Sequence, residues 1–437
     1  MQLIDRKHIQ ELINLAMPIF MGNLGIILIN IGDCFVAGRY STNTLAAVSI
    51  ASAIFMTVAM LGVGLLFSVS PLLANIRGAG QKAKKYFFPT LKFAFMTAFF
   101  LFILVLAYIP LIKHLGYSPE IVPDIEKYTY ISAFSVFGMV LHAALKEFLQ
   151  AYEIVFLPNL IMLISIIVNI ILNFILVFGL LGIEPMGTAG LALATLIART
   201  LGAGFLLWYC LYKFNFKKHS ENKYYKQILK VGLPISIAIV IEFLAFNSMA
   251  ILMGRISTDY AAAQNIIIAL ANMSFMFPLA ISNAIAVKVG LTNGAKNYPE
   301  MKKYIKNGMI ITLSFMTLAS IFFATCSKFL AGIFTTDTNI INIIIPAMYI
   351  VAAFQISDGI QVAIAGVFKG LKKTYIVMYS NLIAYIIIGV SSGYYCALRF
   401  EEHLFAFWAA FSASSWVLSV ILLLILRNTL NKLVAKQ

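Results

Sequence analysis

The sequence predicts an all-α polytopic membrane protein with 12 transmembrane helices, built from two parallel-repeat six-helix lobes. Three observations lead to this fold class: an apolar composition, regularly spaced apolar runs and an internal duplication. Of the 437 residues, 61% are hydrophobic and only 11% are charged, and the mean hydropathy is +0.93. Soluble domains carry about 25% charged residues, so this composition indicates a chain that folds within a bilayer.

Twelve apolar runs are long enough to cross a membrane as helices, which takes about 20 residues each. Lys and Arg concentrate in alternate loops between these runs. Because basic loops remain on the cytoplasmic side, we expect a multi-pass protein of the cytoplasmic (inner) membrane with both termini in the cytoplasm. The runs lie near residues 13–37, 46–74, 87–112, 128–151, 157–182, 188–212, 228–253, 260–288, 307–334, 339–368, 374–397 and 404–426.

The two halves of the chain repeat each other. Pro18 to Ala47 aligns without a gap on Pro234 to Ala263, at a constant offset of 216 positions. Six helices per repeat make both halves enter the membrane from the same side, which predicts parallel lobes around a central cavity, as in many transporters. The predicted bounds are 1–212 for the N-terminal lobe, 213–227 for a basic cytoplasmic linker and 228–437 for the C-terminal lobe.

Other matches support the duplication. Arg39 falls on Arg255 in a shared Gly-Arg pair, and we also pair Gly80 with Gly294, each of which precedes a Lys-rich run.

The sequence disfavours several other classes of protein. The net charge of +15 could suggest nucleic-acid binding, but membrane orientation alone places basic residues in short loops. Four cysteines and five histidines are dispersed, so we predict neither a disulfide framework nor a metal centre built on His and Cys. No HExxH or GxSxG motif occurs, which argues against a membrane-embedded enzyme. A channel is disfavoured because no filter-like sequence is present.

Three acidic residues lie well inside the predicted spans, where a carboxylate is costly and usually either pairs or functions. They are Asp33 in the first span, Glu242 in the seventh and Asp358 in the tenth. The duplication does not copy them, since Asp33 aligns with Met249 and Glu242 with Ile26. We therefore expect each lobe to have its own ion chemistry.

Polar residues of the fifth and sixth spans are candidate neighbours of Asp33. Asn169 and Asn173 are four residues apart and share a helical face, and Thr195 could meet them. With Asp33 these groups would provide oxygen ligands for Na⁺ or a site that holds a proton. Interhelical hydrogen bonding is the alternative explanation for the Asn and Thr residues. Arg199, in the sixth span, either snorkels or pairs across the bundle.

Motifs along the whole chain carry a family resemblance. They are LAMP at 15–18, Asp33 before GR at 38–39, NIILN at 169–173, GLPI at 232–235 with Glu242, and the segment 354–370 around Asp358. In these motifs the chain resembles the multidrug and toxic compound extrusion (MATE) family. In having Glu242 the chain resembles the NorM-like branch rather than the DinF-like branch.

The resemblance implies a secondary active antiporter that exports amphipathic or cationic small molecules in exchange for H⁺ or Na⁺, with no other cofactor. The implied coupling residues are Asp33, Asn169, Asn173 and Thr195 in the N-terminal lobe and Glu242 and Asp358 in the C-terminal lobe. The implied substrate-cavity residues are Gln264, Gln361 and Phe354. The sequence leaves open whether H⁺ or Na⁺ binds at Asp33, and at Glu242 with Asp358.

One departure concerns Phe354, because NorM-like members often have a Tyr there, which would add an oxygen ligand. The nearest alternative function is a lipid-linked saccharide flippase of the same superfamily, which usually lines its cavity with several basic residues. As partners we expect small-molecule substrates and membrane lipids but no nucleic acid, and we expect a monomer.

Overall fold

The computed structural model describes residues 5–214, 216 and 222–435, and these residues are almost entirely helical. A π-helix spans Leu382–Val390, and two short 3₁₀ turns span Ala83–Tyr86 and Leu180–Gly182. The α-helices are α1 (Arg6–Tyr40), α2 (Thr42–Leu66), α3 (Val69–Gly78), α4 (Phe87–Ile112), α5 (Val122–Gln150), α6 (Phe156–Phe178), α7 (Thr188–Lys213), α8 (Asn222–Ile256), α9 (Thr258–Gly294), α10 (Tyr298–Thr325), α11 (Ser327–Phe334), α12 (Thr338–Gly370), α13 (Tyr375–Asn381), α14 (Ser391–Arg399) and α15 (His403–Val434).

Within the described residues, 12 helical segments are long and apolar enough to cross a membrane. Helices α2 and α3 form one of them, Thr42–Gly78, and α13, the π-helix and α14 form another, Tyr375–Arg399. A chain that crosses a bilayer must satisfy its backbone hydrogen bonds internally, which helices achieve. The predicted polytopic all-α fold class is confirmed.

The duplication extends to helix capping. Ser41 precedes α2 and Ser257 precedes α9, with φ/ψ of −163°/157° and −162°/163°. The Ser41 hydroxyl accepts a hydrogen bond from the Thr44 N–H at 3.0 Å, and that of Ser257 accepts one from the Tyr260 N–H at 3.2 Å. Each cap satisfies a backbone donor that has no partner within its helix. Both halves therefore begin their second span in the same way.

The turn after each of these spans corrects one detail of the predicted alignment. Gly80 adopts a left-handed conformation with φ 72°, and Lys296, 216 positions later, does so with φ 56°. The counterpart of Gly80 is therefore Lys296, and Gly294 is the counterpart of Gly78. Pairing Gly80 with Gly294 was wrong by two positions because it matched residue type, whereas the turn requires a positive φ at one position and only glycine adopts that without strain.

The chain forms two compact units whose bounds differ from the predicted 1–212 and 228–437. One unit contains Pro18–Arg77 and Gln81–Ser236, and the other contains the described residues up to Met17, Gly78–Gly80 and the chain from Ile237 onward. Helices α1 and α8 have 35 residues each, or about 52 Å at 1.5 Å per residue. A helix of this length extends beyond the hydrocarbon layer, so its first turns can pack in a different unit from the rest. The predicted linker 213–227 lies partly outside the described residues.

Two helices organise the interiors of these units. In the first unit, α7 packs against α5 and α6. In the second, α12 packs against α9, α10 and α15. Helix α12 carries Asp358, and α7 carries Thr195 and Arg199, so these three residues lie on helices that pack against several others.

Candidate functional site

The four residues predicted to form the N-terminal site lie together in the structure. Asn173 Nδ2 donates a hydrogen bond to Asp33 Oδ1 at 2.6 Å, and Thr195 Oγ1 donates one to Asp33 Oδ2 at 3.4 Å. Asn169 links both neighbours, since its Nδ2 donates to Thr195 Oγ1 at 3.1 Å and its Oδ1 accepts from Asn173 Nδ2 at 3.3 Å. All four side chains are buried. Their role in ion coupling stays a prediction.

Local sequence explains why α6 and α7 approach closely enough for these bonds. A Cβ on Gly190, in the first turn of α7, would lie 2.9 Å from the Leu176 carbonyl carbon in α6. Only glycine permits this backbone approach, and small residues at helix interfaces promote packing in membranes. Thr195 follows within the small-residue sequence GLALAT and is thereby brought to the amides of α6.

A small cavity of ≈ 20 Å³ adjoins Asp33. A cavity needs roughly 10–15 Å³ of such volume to hold a water molecule, so this one has room for about one water and none for an organic substrate. The cavity is lined by Ile29, Asp33, Ser52, Phe55, Met56, Tyr128, Ser132, Thr195 and Arg199. Its size suits a proton pathway or a single small ion.

Arg199 is the residue of this site that sequence reasoning undervalued. Its Nη1 donates a hydrogen bond to Ser135 Oγ at 3.0 Å, and its guanidinium lies 5.1 Å from the centroid of the Phe55 ring. Arg199 therefore pairs across the bundle and does not snorkel. The spacing could have indicated this position, because Arg199 is four residues after Thr195 and so shares its face of α7.

The predicted C-terminal pair also lies within one unit. Asp358, in α12, is 4% exposed, and it interacts electrostatically with Glu242 of α8. Lys369, eleven residues after Asp358 in α12, also interacts electrostatically with Glu242. The two acids that the sequence places in separate helices are thus neighbours in the fold.

A hydrogen-bonded network beside these acids was not predicted in full. The Tyr385 hydroxyl donates to Gln361 Oε1 at 2.7 Å, and Gln361 Nε2 donates to Asn381 Oδ1 at 3.2 Å. Tyr385 lies in the π-helix and interacts electrostatically with Asp358 and Glu242. Departures from α-helical to π-helical geometry occur often at functional sites. No local pattern in the sequence signals the π-helix, which is why Tyr385 was missed.

The three residues predicted to line a substrate cavity are all buried: Gln264 is 0%, Phe354 2% and Gln361 3% exposed. Trp408 Nε1 donates a hydrogen bond to Gln264 Oε1 at 2.9 Å. The Phe354 ring lies 5.4 Å from that of Trp408 and 5.8 Å from that of Phe411. In this structure the three side chains belong to packed interiors, and their contact with substrate stays a prediction.

Comparison with known proteins places the chain in a family. The model of the MatE family matches residues 18–175 and, a second time, residues 234–395. The chain belongs to the MatE family. The two matches start at Pro18 and Pro234, which are the residues where the internal alignment begins, so one family unit occurs twice. Membership of this transporter family fits the predicted MATE resemblance, and the chain is a transporter and not an enzyme.

Similar curated proteins are named as multidrug resistance proteins. A probable multidrug resistance protein NorM of Rhizobium meliloti (strain 1021) is 28% identical over 413 residues, covering 90% of this chain and 86% of the relative. A protein of the same name from Mesorhizobium japonicum is 26% identical over 435 residues, covering 96% and 93%. Another from Bacillus subtilis (strain 168) is 24% identical over 425 residues, covering 92% of each.

Solved structures share the fold. An outward-facing multidrug resistance MATE family transporter of the MOP superfamily matches with a TM-score of 0.89 at 19% identity, covering 98% of this chain and 96% of that chain. A MOP superfamily transporter from Pyrococcus furiosus Vc1 matches with a TM-score of 0.88 at 20% identity and the same coverage. The twelve-span MatE architecture is therefore that of this chain.

Proposed function

We propose that this MatE-family protein is a secondary active antiporter that exports amphipathic, often cationic small molecules in exchange for inward H⁺ or Na⁺. The observation that supports this most directly is the environment of Asp33. A single carboxylate lies at membrane depth, holds hydrogen bonds from Asn173 and Thr195, and faces a cavity of about one water. A group that is costly to bury and accessible only to a very small species is suited to carrying a coupling ion.

The hydrogen bonds suggest how ion binding changes the protein. An ionised carboxylate only accepts hydrogen bonds, whereas a protonated one carries an O–H donor. With Asp33 ionised, Asn173 Nδ2 and Thr195 Oγ1 both have acceptors on it. Neutralising Asp33 weakens both bonds, and the packing of α1 against α6 and α7 changes with them. Transport requires this step to favour one conformation over another, because an ion with equal affinity for both shifts nothing.

The C-terminal pair provides a second place for a coupling ion. Glu242 and Asp358 lie close enough to interact electrostatically, and like charges in a low-dielectric site repel unless a proton or cation intervenes. A bound H⁺ or Na⁺ would relieve this repulsion, and its release would restore it.

We further propose that the protein acts as a monomer in the cytoplasmic membrane with both termini in the cytoplasm. The 12 candidate spans among the described residues support the membrane location, and the concentration of Lys and Arg in alternate loops supports the orientation.

The function is tested with purified protein in liposomes. Ethidium efflux is measured with a pH gradient and a Na⁺ gradient imposed separately. We expect efflux under at least one gradient, and a loss of at least tenfold in Asp33→Asn. Glu120→Gln, an exposed acid of the same unit, is the control and should transport as the unaltered protein does.

Two outcomes count against the proposal. If Asp33→Asn exports ethidium at the unaltered rate under both gradients, Asp33 is not the coupling carboxylate. If the unaltered protein exports nothing under either gradient, the proposal of an antiporter is wrong. The lipid-linked saccharide flippase is then the function to test, with a fluorescent polyprenyl-linked sugar as the substrate.

A further inference from the structure

Arg199 and Asp33 are the two charged residues that line the cavity of ≈ 20 Å³ in the first unit. Arginine stays charged in proteins at all ordinary pH values. With Asp33 ionised, the cavity therefore holds one negative and one positive group. The other groups near Asp33 that could titrate are Tyr128, which lines the cavity, and Cys34, the next residue of α1.

The guanidinium is held in place from two sides. Ser135 of α5 accepts a hydrogen bond from Nη1 at 3.0 Å, and the Phe55 ring of α2 lies 5.1 Å from the guanidinium carbon. The backbone is fixed as well, because a Cβ on Gly138 of α5 would lie 2.9 Å from the Arg199 carbonyl carbon. Glycine at this position lets the backbones of α5 and α7 come into contact at Arg199. The positive charge of Arg199 is thus held at a fixed position in the site.

The groups directed at Asp33 are hydrogen-bond donors. Asn173 presents its Nδ2 and Thr195 its hydroxyl hydrogen, and Arg199 adds N–H donors on the cavity wall. The cavity is also lined by Ser52, Tyr128, Ser132 and Thr195, whose hydroxyl oxygens are ligands of the type that a hard cation such as Na⁺ takes. The fixed guanidinium opposes Na⁺ binding, because Na⁺ would keep its full positive charge beside Arg199 in a cavity of about one water. A proton needs no ligand shell, because it binds covalently to one carboxylate oxygen.

We infer that Arg199 makes the N-terminal site selective for H⁺ and unable to bind Na⁺. This inference rests on the proposed function only in taking Asp33 as a coupling carboxylate. Arg199 is a selectivity-determining residue that acts through its fixed charge. When Asp33 accepts a proton, the guanidinium loses its counter-charge in the cavity, and an uncompensated buried charge favours a rearranged state. Export coupled at this site follows the pH gradient.

Sodium binding tests the inference apart from transport. Radioactive ²²Na⁺ binding is measured on the purified full-length protein carrying Glu242→Gln, which removes one acid of the other candidate site. With Arg199 present we expect no Na⁺ binding that depends on Asp33. Adding Arg199→Gln should create Na⁺ binding that Asp33→Asn then abolishes, and Arg199→Lys, which keeps the charge, should not create it.

The pH profile of ethidium efflux provides a second readout that a structural role would not move in the same way. Removing the positive charge in Arg199→Gln should shift the midpoint upward by about one pH unit, since a neighbouring charge changes proton affinity by this order. Arg199→Lys should stay near the unaltered midpoint. Arg39→Gln, an exposed Arg of the same unit, should leave the profile unchanged.

Asp33-dependent Na⁺ binding with Arg199 intact would overturn the inference, and so would an Arg199→Gln variant with neither Na⁺ binding nor a shifted profile. If Arg199→Gln does not fold, Arg199→Lys still decides: Asp33-dependent Na⁺ binding in that variant contradicts a role for the charge. Failure of the proposed antiport looks different, because the unaltered protein would then show no ethidium efflux under either a pH gradient or a Na⁺ gradient.

Discussion

Lys288 donates a hydrogen bond of 2.9 Å to Glu11, although 277 residues separate them in the chain. The Tyr304 hydroxyl donates to the same carboxylate oxygen at 2.5 Å, and the Lys288 ammonium lies 5.4 Å from the Tyr304 ring centroid. His8 Nε2 is also 3.0 Å from Glu300 Oε1. These contacts attach the first turns of α1 to α9 and α10 within one compact unit, which explains why that unit includes the start of the chain.

Glu11→Gln is expected to destabilise this unit. The substitution removes the charge that compensates Lys288, whose side chain is 11% exposed, and weakens two hydrogen bonds. Hydrogen bonds to charged groups contribute about 1.5–3 kcal/mol each. Because Glu11 is partly exposed, we expect the loss in free energy of unfolding per bond to lie near the lower end of that range. Thermal unfolding in detergent measures it, with Glu120→Gln as the exposed control. An unchanged Tm would show that the contact contributes nothing to stability.

Asn173→Ala is expected to slow efflux about tenfold. The variant removes the 2.6 Å hydrogen bond to Asp33, and a loss of about 1.5–3 kcal/mol for a bond to a carboxylate corresponds to roughly tenfold or more in a rate. Asn247→Ala is the matched control, because Asn247 is exposed and its amide donates to the carbonyl of Phe243 on its own helix. Equal efflux rates in the two variants would remove Asn173 from the mechanism.

Tyr385→Phe is expected to lower the free energy of unfolding by about 1–2 kcal/mol. The phenyl ring still stacks on Phe411 at 5.2 Å, but Gln361 Oε1 loses its donor, and a buried acceptor without a partner is costly. Tyr395→Phe provides the control, since Tyr395 is 63% exposed. Thermal unfolding in detergent should give a lower Tm for Tyr385→Phe than for Tyr395→Phe, and coinciding curves would contradict the assigned hydrogen bond.

The repeated left-handed turn gives a paired prediction. Gly80→Ala should destabilise the protein by about 1 kcal/mol, because a side chain at φ 72° is strained although no atom lies within 4 Å of the added Cβ. Lys296→Gly relieves the same strain at φ 56° and should stabilise by a smaller amount, since glycine also gains freedom in the unfolded chain. Thermal unfolding of both variants is the measurement; effects of the same sign would contradict the equivalence of the two turns.

Much of the candidate N-terminal site was predictable from spacing. Asn169 and Asn173 had to share a face because they are four residues apart on a helix, and the small residues before Thr195 suggested close packing. The contribution of Arg199 was not predictable to the same degree. Its place on α7 follows from the sequence, but Ser135 and Phe55, which hold the guanidinium, come from two other helices.

In the second unit the sequence predicts the position of the acids but not the surroundings of Gln264. The depth of Glu242 and Asp358 in the membrane follows from the apolar runs around them. Gln264 shows the opposite case, because a polar residue within a span could face either a cavity or a packed interior. Its hydrogen bond to Trp408 arises from α15, far away in the chain, and fixes it in the interior of this structure.

The sequence by itself determined the number of spans, the duplication and the membrane depth of the acids. Each span must satisfy its own backbone hydrogen bonds, so length and apolar composition suffice to identify it. The duplicated sequence also keeps its local caps, as Ser41 and its counterpart Ser257 show. Only the tertiary structure decided which charges meet. Asp33 and Arg199 line one cavity, and Glu11 bonds to Lys288. Both arrangements depend on contacts between helices that are distant in the chain, and no local periodicity specifies those contacts.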